Sequence, residues 1–298
     1  MDYAPIVLFA FNRPDRLKAT IETLLKNEEA KGSELFVFVD GARMDKEGEK
    51  EKVDEVQGIV KEIDGFKSVH YWFSDVNKGL GNSVIAGVSE VINKYGMAII
   101  LEDDLVLTPN FLAYMNQGLE RYKDNERVFS ICGYSNRVER PKNYQADTYF
   151  CSRSSSWGWG TWADRWNSVD WTLEPFEQYL RYKHQFNRWG GSDCFGMLKR
   201  WHDGRNKSWA IRFCFNQFLQ GKVSLFPIQS LVINDGFDGE GTNCKKWSRF
   251  KFDIDNSGKK SFVYPENVSV DKRILKQVLA YNSMSKRIYS KIMYMIYG

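Results

Sequence analysis

The first hundred residues alternate short apolar runs with amphipathic segments, and each apolar run ends in a polar loop. Pro5 to Phe11 (Pro-Ile-Val-Leu-Phe-Ala-Phe) is uninterrupted, as a parallel strand buried on both faces requires. Asn12-Arg13-Pro14-Asp15 breaks it. From Arg16 to Asn27, Leu17, Ile21, Leu24 and Leu25 then share one helical face. Glu34 to Val39 is a second expected strand, ending at Asp40-Gly41. The charged stretch from Arg43 through Ile63 reads as a solvated helix with Val53, Val56, Ile59, Val60 and Ile63 inward. Val69 to Phe73 is a third strand, and Asn77-Lys78-Gly79-Leu80-Gly81-Asn82 opens a helix that runs through Tyr95. Met97 to Leu101 is a fourth strand, and it leads directly into Glu102-Asp103-Asp104.

Such alternation predicts an α/β chain with a mostly parallel, Rossmann-like sheet flanked by helices. Ligands of these sheets bind beyond the carboxyl ends of the strands. Asn12-Arg13, Asp40-Gly41, Ser74 to Asn82 and Glu102 to Asp104 all fall there, so the four loops are expected to form one site. Thr108-Pro109 reads as a helix start for residues 110–123. Val128 to Cys132 reads as a further strand. Residues 133–245, rich in Trp and Gly, are expected to form an irregular substrate lobe.

Composition removes several alternatives. The net charge of +4 gives no case for nucleic acid as a partner. Five cysteines without a Cys-x-x-Cys pair suggest free thiols in a reducing compartment. With three histidines in the chain, a metal site is expected to rely on carboxylates. Neither a signal peptide nor a membrane span is expected, so the reading is cytoplasmic.

Three adjacent acids at a strand end repel one another unless a cation neutralises them. Mg²⁺ or Mn²⁺ takes one or two carboxylates and completes its shell with diphosphate and water. The competing reading is a solvated acidic loop beside the next helix.

The order strand, Asn-Arg-Pro, strand, Asp-Gly, Asn-Lys-Gly-Leu-Gly-Asn, strand, Glu-Asp-Asp resembles the GT-A glycosyltransferases. It is most similar to bacterial family-2-like sugar transferases of surface-polysaccharide clusters, with an echo of the N-acetylglucosaminyltransferase I acidic motif. The resemblance covers nearly the whole chain. It implies a nucleotide-sugar-binding half at residues 1–105, an acceptor half at 106–265 and a helical tail at 266–298. By resemblance, Phe11, Asn12, Arg13 and Asp40 line the base and ribose pocket. Asn77, Lys78 and Asn82 approach the nucleotide or its sugar, and Asp103 meets ribose or donor sugar. Asp104 is the direct metal ligand, supported by Glu102, with Mn²⁺ or Mg²⁺ as cofactor. The donor is expected to be a UDP-hexose or UDP-N-acetylhexosamine, the acceptor a glycan or lipid-linked glycan, and the transfer inverting.

Ser154-Ser155-Ser156-Trp157-Gly158-Trp159-Gly160-Thr161-Trp162 sets flat indole faces between glycines. Trp157, Trp159 and Trp162 are therefore candidates to stack on sugar, with a packed core corner as the equal alternative. Trp209 joins them because Ser208-Trp209-Ala210-Ile211-Arg212 resembles a segment that closes the active site in the family. Inverting transfer needs a base. The segment 206–212 contains no acid, and the Gly-Thr element ends in Asn243, where many relatives have His. Asp193, Asp203, Asp235 and Glu240 are the remaining candidates, with Asp193 preferred on its Gly-Gly-Ser-Asp loop; its alternative is a cap on the helix expected at Cys194–Trp201.

The tail from Asp271 mixes Lys272, Arg273, Lys276, Lys286, Arg287 and Lys291 with Ile288, Tyr289, Ile292, Met293, Met295, Ile296 and Tyr297. That pattern fits shallow contact with an anionic membrane at the inner face of the cytoplasmic membrane. Packing on its own domain or on a second subunit is the alternative. Two competing functions are a catalytically impaired nucleotide- or glycan-binding relative and a nucleotide-binding oxidoreductase. Gly79-x-Gly81 prompts the latter, but Val84 occupies the position a third glycine needs.

Overall fold

The computed structural model describes residues 3–236 and 254–297. The first half follows the expected alternation: β1 (Ile6–Ala10), α1 (Pro14–Leu25), β2 (Glu34–Val39), α2 (Glu49–Lys61), β3 (Ser68–Phe73), α3 (Leu80–Tyr95) and β4 (Met97–Glu102). β1 is buried along its whole length because it lies between β2 and β4 with helices on both faces. Its side chains divide by parity. Ile6, Leu8 and Ala10 pack with Leu17, Ile21 and Leu24 of α1 and Val53, Val56 and Val60 of α2. Val7 and Phe9 pack with Val84, Val88, Val91 and Ile92 of α3 on the opposite face. Each of the Val, Ile, Leu and Phe side chains contributes roughly 1.5–3 kcal/mol by leaving water.

The second half is more regular than its sequence suggests. It holds β5 (Leu105–Leu107), α4 (Phe111–Tyr122), β6 (Val128–Cys132), β7 (Thr148–Cys151), β8 (Trp159–Trp162), α5 (Ala163–Asn167), α6 (Lys183–Gly190), α7 (Cys194–His202), α8 (Trp209–Leu219), β9 (Val223–Pro227) and β10 (Val232–Asn234). The main sheet runs β3-β2-β1-β4-β8-β6-β9-β7, with β8 and β7 antiparallel to their neighbours. β5 and β10 form a separate antiparallel pair. The Trp-Gly-Trp segment is thus a central strand. Gly160 permits it, since a Cβ there would lie 2.9 Å from the Ala98 carbonyl of β4.

The tail forms α9 (Lys272–Tyr281) and α10 (Met284–Tyr297). Asp271 caps α9 by accepting from the Arg273 amide, and Ile274 and Val278 bury against Cys132, Tyr149 and Phe226. Packing on its own domain is therefore the outcome for α9. α10 instead leaves Met284, Ile288, Tyr289, Ile292 and Met295 exposed. No described helix is long and apolar enough to cross a membrane. Cys132, Cys151, Cys194 and Cys214 are buried free thiols, whereas Cys244 lies outside the described residues.

Candidate active site

Register places the expected loops together. Ala10 pairs with Val39, Val39 with Phe73, and Phe9 with Glu102, so four loops leave the same sheet edge. They enclose a cavity of about 620 Å³ lined by Phe11, Asn12, Arg13, Asp40, Asn77 and all three acids, among others. Lys78 and Asn82 instead line an adjoining hollow of about 330 Å³.

The acids lie beside one guanidinium. Arg13 donates to Asp103 at 2.6 Å and to Asp104 at 3.0 Å, and the Phe11 amide donates to Asp103 at 3.1 Å. The Asn234 side chain donates to Asp104 at 3.3 Å, and the Asp235 amide donates to the Asp104 carbonyl. Arg16 pairs with Asp235, binding the 234–236 segment to α1. Gly236 belongs here for a steric reason: a Cβ would lie 2.5 Å from an Asp104 carboxylate oxygen. Burial, reinforced by Asp104 and Asp103, pushes Glu102 up to about 8. Burial also raises Asp103 to about 6 although Arg13 opposes it. Burial favours the neutral form of Glu102, so Arg13 stands against Asp103 and Asp104, two acids to one base.

Among the described residues, no group of three His, Cys, Asp or Glu side chains converges to hold an ion. The oxygen-only donors and surplus negative charge fit a hard dication bound through one or two carboxylates, with diphosphate and water completing its shell.

Asp40 is committed to the backbone. Its carboxylate accepts from the Lys78 and Gly79 amides, both at 2.8 Å, and from the Gly41 amide at 3.1 Å. Asn77 donates to the Gly41 carbonyl at 2.8 Å. Together they fix the loop entering α3. Asn12 donates to Glu49, which also pairs with Arg43, and the Arg43 guanidinium sits 5.5 Å from the Phe11 ring centre. Arg43, Asn234 and Lys207 line the cavity without having been singled out from the sequence as its residues. Only Asn234 carries a signal, because it lies in the stretch Ser230 to Asn243, which resembles segments that close the active site in the family.

The candidate tryptophans separate. Trp157 is partly exposed and lines both the large cavity and a second one of about 350 Å³. Trp209 is mostly buried and lines only the second. Trp159 and Trp162 line neither: Trp159 packs on Trp166, Trp209 and Phe213, and Trp162 donates its indole N–H to the Leu119 carbonyl. The sugar-platform expectation is corrected for these two, because β8 is covered on both faces.

Asp193 lies on the second cavity, not the first. Both its oxygens accept from Arg153, at 3.0 and 3.2 Å, and it does not cap α7 through its side chain. Burial raises Asp193, but Arg153 outweighs burial and holds it below the usual aspartate range. That arrangement suits a structural ion pair and works against the expected role of base. Asp203 is engaged by Lys199 and Arg205. Glu240 lies outside the described residues.

No protein with a curated description matches this chain. Among solved structures it is similar to Staphylococcus aureus TarS: 10% identity and TM-score 0.34, covering 51% of this chain and 25% of that one. A structure of TarS residues 1–349 gives 11% and 0.37, covering 57% and 51%. The Pyrobaculum calidifontis mannosyltransferase PcManGT, solved with GDP-Man and Mn²⁺, gives 10% and 0.35, covering 54% and 46%. The chain thus spans from a quarter to about half the length of these structures. The family model "Glycosyl transferase family 2" matches residues 6–200, which contain β1 to β4 and the whole acidic run. With that match over more than half its length, the chain belongs to glycosyl transferase family 2.

Proposed function

We propose that this glycosyltransferase moves a hexose or N-acetylhexosamine from a UDP-sugar to a glycan or lipid-linked glycan, with inversion, in surface-polysaccharide synthesis. One observation carries the reading: Phe11, Asn12, Arg13, Asp40, Asn77, Glu102, Asp103 and Asp104 line a single cavity at the carboxyl edge of the sheet. In this reading Phe11 and Asn12 border the base, and Asp40 and Asn77 hold the loop at residues 77–79 against it. Asp103 faces ribose. Asp104, with Glu102 nearby, holds Mn²⁺ or Mg²⁺, which when bound would offset charge developing on the departing diphosphate. Trp157 borders both donor and acceptor space, and Trp209 faces the acceptor.

α10 supports a peripheral contact. Its five exposed apolar side chains share a helix with Lys286, Arg287 and Lys291. Such a face suits an anionic lipid surface carrying the acceptor.

A second reading, a relative that binds donor without efficient transfer, is favoured by the Asp193–Arg153 pair, which leaves the preferred base engaged. Calorimetric titration of UDP and GDP with Mn²⁺, then EDTA, tests the donor site. UDP binding that disappears with EDTA supports it; absence of binding by either nucleotide sinks it. Turnover of UDP-sugars by the pure protein then separates transferase from binding relative.

A further inference from the structure

Gly79-Leu80-Gly81 has a structural use that the donor cavity does not account for. Gly79 adopts φ +76°, and a Cβ on Gly81 would lie 2.6 Å from the Lys207 carbonyl. The two glycines therefore let the chain at 206–208 press against the first turn of α3. Between them lies the 330 Å³ hollow, lined by Lys78, Asn82, Trp201, Asn206, Lys207 and Arg212, among others.

The lining has three cations and no carboxylate. Nearby Asp203 is occupied by Lys199 and Arg205. Arg212 is held between indoles, its guanidinium 4.8 Å from Trp201 and 5.4 Å from Trp171. It donates to the Trp171 carbonyl at 2.8 Å, while its Nε is buried without a hydrogen-bond partner. Burial pushes Arg212 down, and no acid offsets it. The first turns of α3 and α8, which border the hollow, carry no acid. A desolvated guanidinium fixed by stacking, with two exposed ammonium groups beside it, is chemistry that recognises a phosphate.

We infer that this hollow binds a phosphate carried by the acceptor. Gly79 and Lys207 line both the hollow and the donor cavity, so a phosphate held here stands beside the bound donor. The assignment to the acceptor rests on the donor reading above. The hollow has no carboxylate with which to share a metal, whereas the donor cavity has all three acids. The remaining source of the same chemistry is the donor's own diphosphate.

The test titrates glycerol phosphate into the full chain, first in EDTA without nucleotide and then with saturating UDP and Mn²⁺. Wild-type protein should bind in the millimolar range, more weakly as salt rises, and Lys207→Gln and Arg212→Gln should each weaken binding by about tenfold. Saturating UDP should leave the affinity unchanged. Lys207 is exposed, so Lys207→Gln keeps the test valid if Arg212→Gln fails to fold. Equal binding by Lys207→Gln and wild type overturns the site. Displacement of glycerol phosphate by UDP overturns the assignment to the acceptor. The nucleotide-free arm reads the hollow even if UDP does not bind, so failure of the donor reading is seen separately.

Discussion

Arg13 and Asp104 meet across the mouth of the sheet at 3.0 Å, and the same guanidinium reaches Asp103 at 2.6 Å. Arg13 is thus the protein's own counterion for a run of acids that a bound dication would otherwise neutralise. Arg13→Met should leave both carboxylates unpaired and destabilise the metal-free protein by about 3–5 kcal/mol. At about 2–4 °C per kcal/mol, the melting temperature in EDTA should fall by roughly 10 °C. Saturating Mn²⁺ should recover part of that loss, because it binds the folded state. Equal melting of variant and wild type in EDTA would reject the counterion role.

Trp157 and Trp159 are two residues apart and should behave oppositely. Trp159 is 1% exposed and stacks 5.0 Å from Trp209, so Trp159→Ala should cost about 3–5 kcal/mol and lower the melting temperature sharply. Trp157 meets Tyr134 edge-on at 4.5 Å but keeps a face toward two cavities. Trp157→Ala should therefore melt within a few degrees of wild type while losing most transferase activity. Thermal melts paired with sugar-transfer assays distinguish the two.

That contrast also marks where the sequence is readable. Runs such as Ile6–Ala10 and residues 97–101 announce buried strands, because burial on both faces demands unbroken apolar residues. Once those strands are in register, the positions of Asp40 and Glu102–Asp104 follow from the sheet. Trp-Gly-Trp does not announce a strand: large indoles separated by glycines suit a sugar platform and a tight sheet equally. Its neighbours β4 and β6 decide the matter, and they are distant in sequence. Asp193 was ambiguous for the same reason, since Arg153, forty residues away, sets its state.

Asp40 should act on nucleotide affinity through the loop it holds. Asp40→Ala removes the acceptor for the Lys78 and Gly79 amides, bonds to a charged group worth about 1.5–3 kcal/mol each. The expected result is weaker UDP binding, by roughly tenfold or more, with most of the fold retained. Calorimetry on the variant checks it. Wild-type affinity would show that the loop holds its shape without Asp40.

The Asp193–Arg153 pair separates base from buttress. Arg153 keeps Asp193 below the ordinary aspartate value of 3.8, so the folded state favours the ionised form. A carboxyl lowered on folding contributes stability that is present above its unfolded value and lost as pH falls through the folded one. The contribution is therefore complete at neutral pH and disappears in acid, below about pH 4. Asp193→Ala should remove it at neutral pH and leave the half-buried Arg153 without its carboxylate, a loss of about 1.5–3 kcal/mol. Melting curves from pH 3 to 8 should show wild type and variant converging at the acid end. If Asp193 served as base, Asp193→Asn should instead lower kcat by about 10²–10⁴. As a buttress, the substitution lowers melting temperature while folded protein keeps kcat near that of wild type. A large kcat loss in an Asp193→Asn protein that melts normally would return the residue to the reaction.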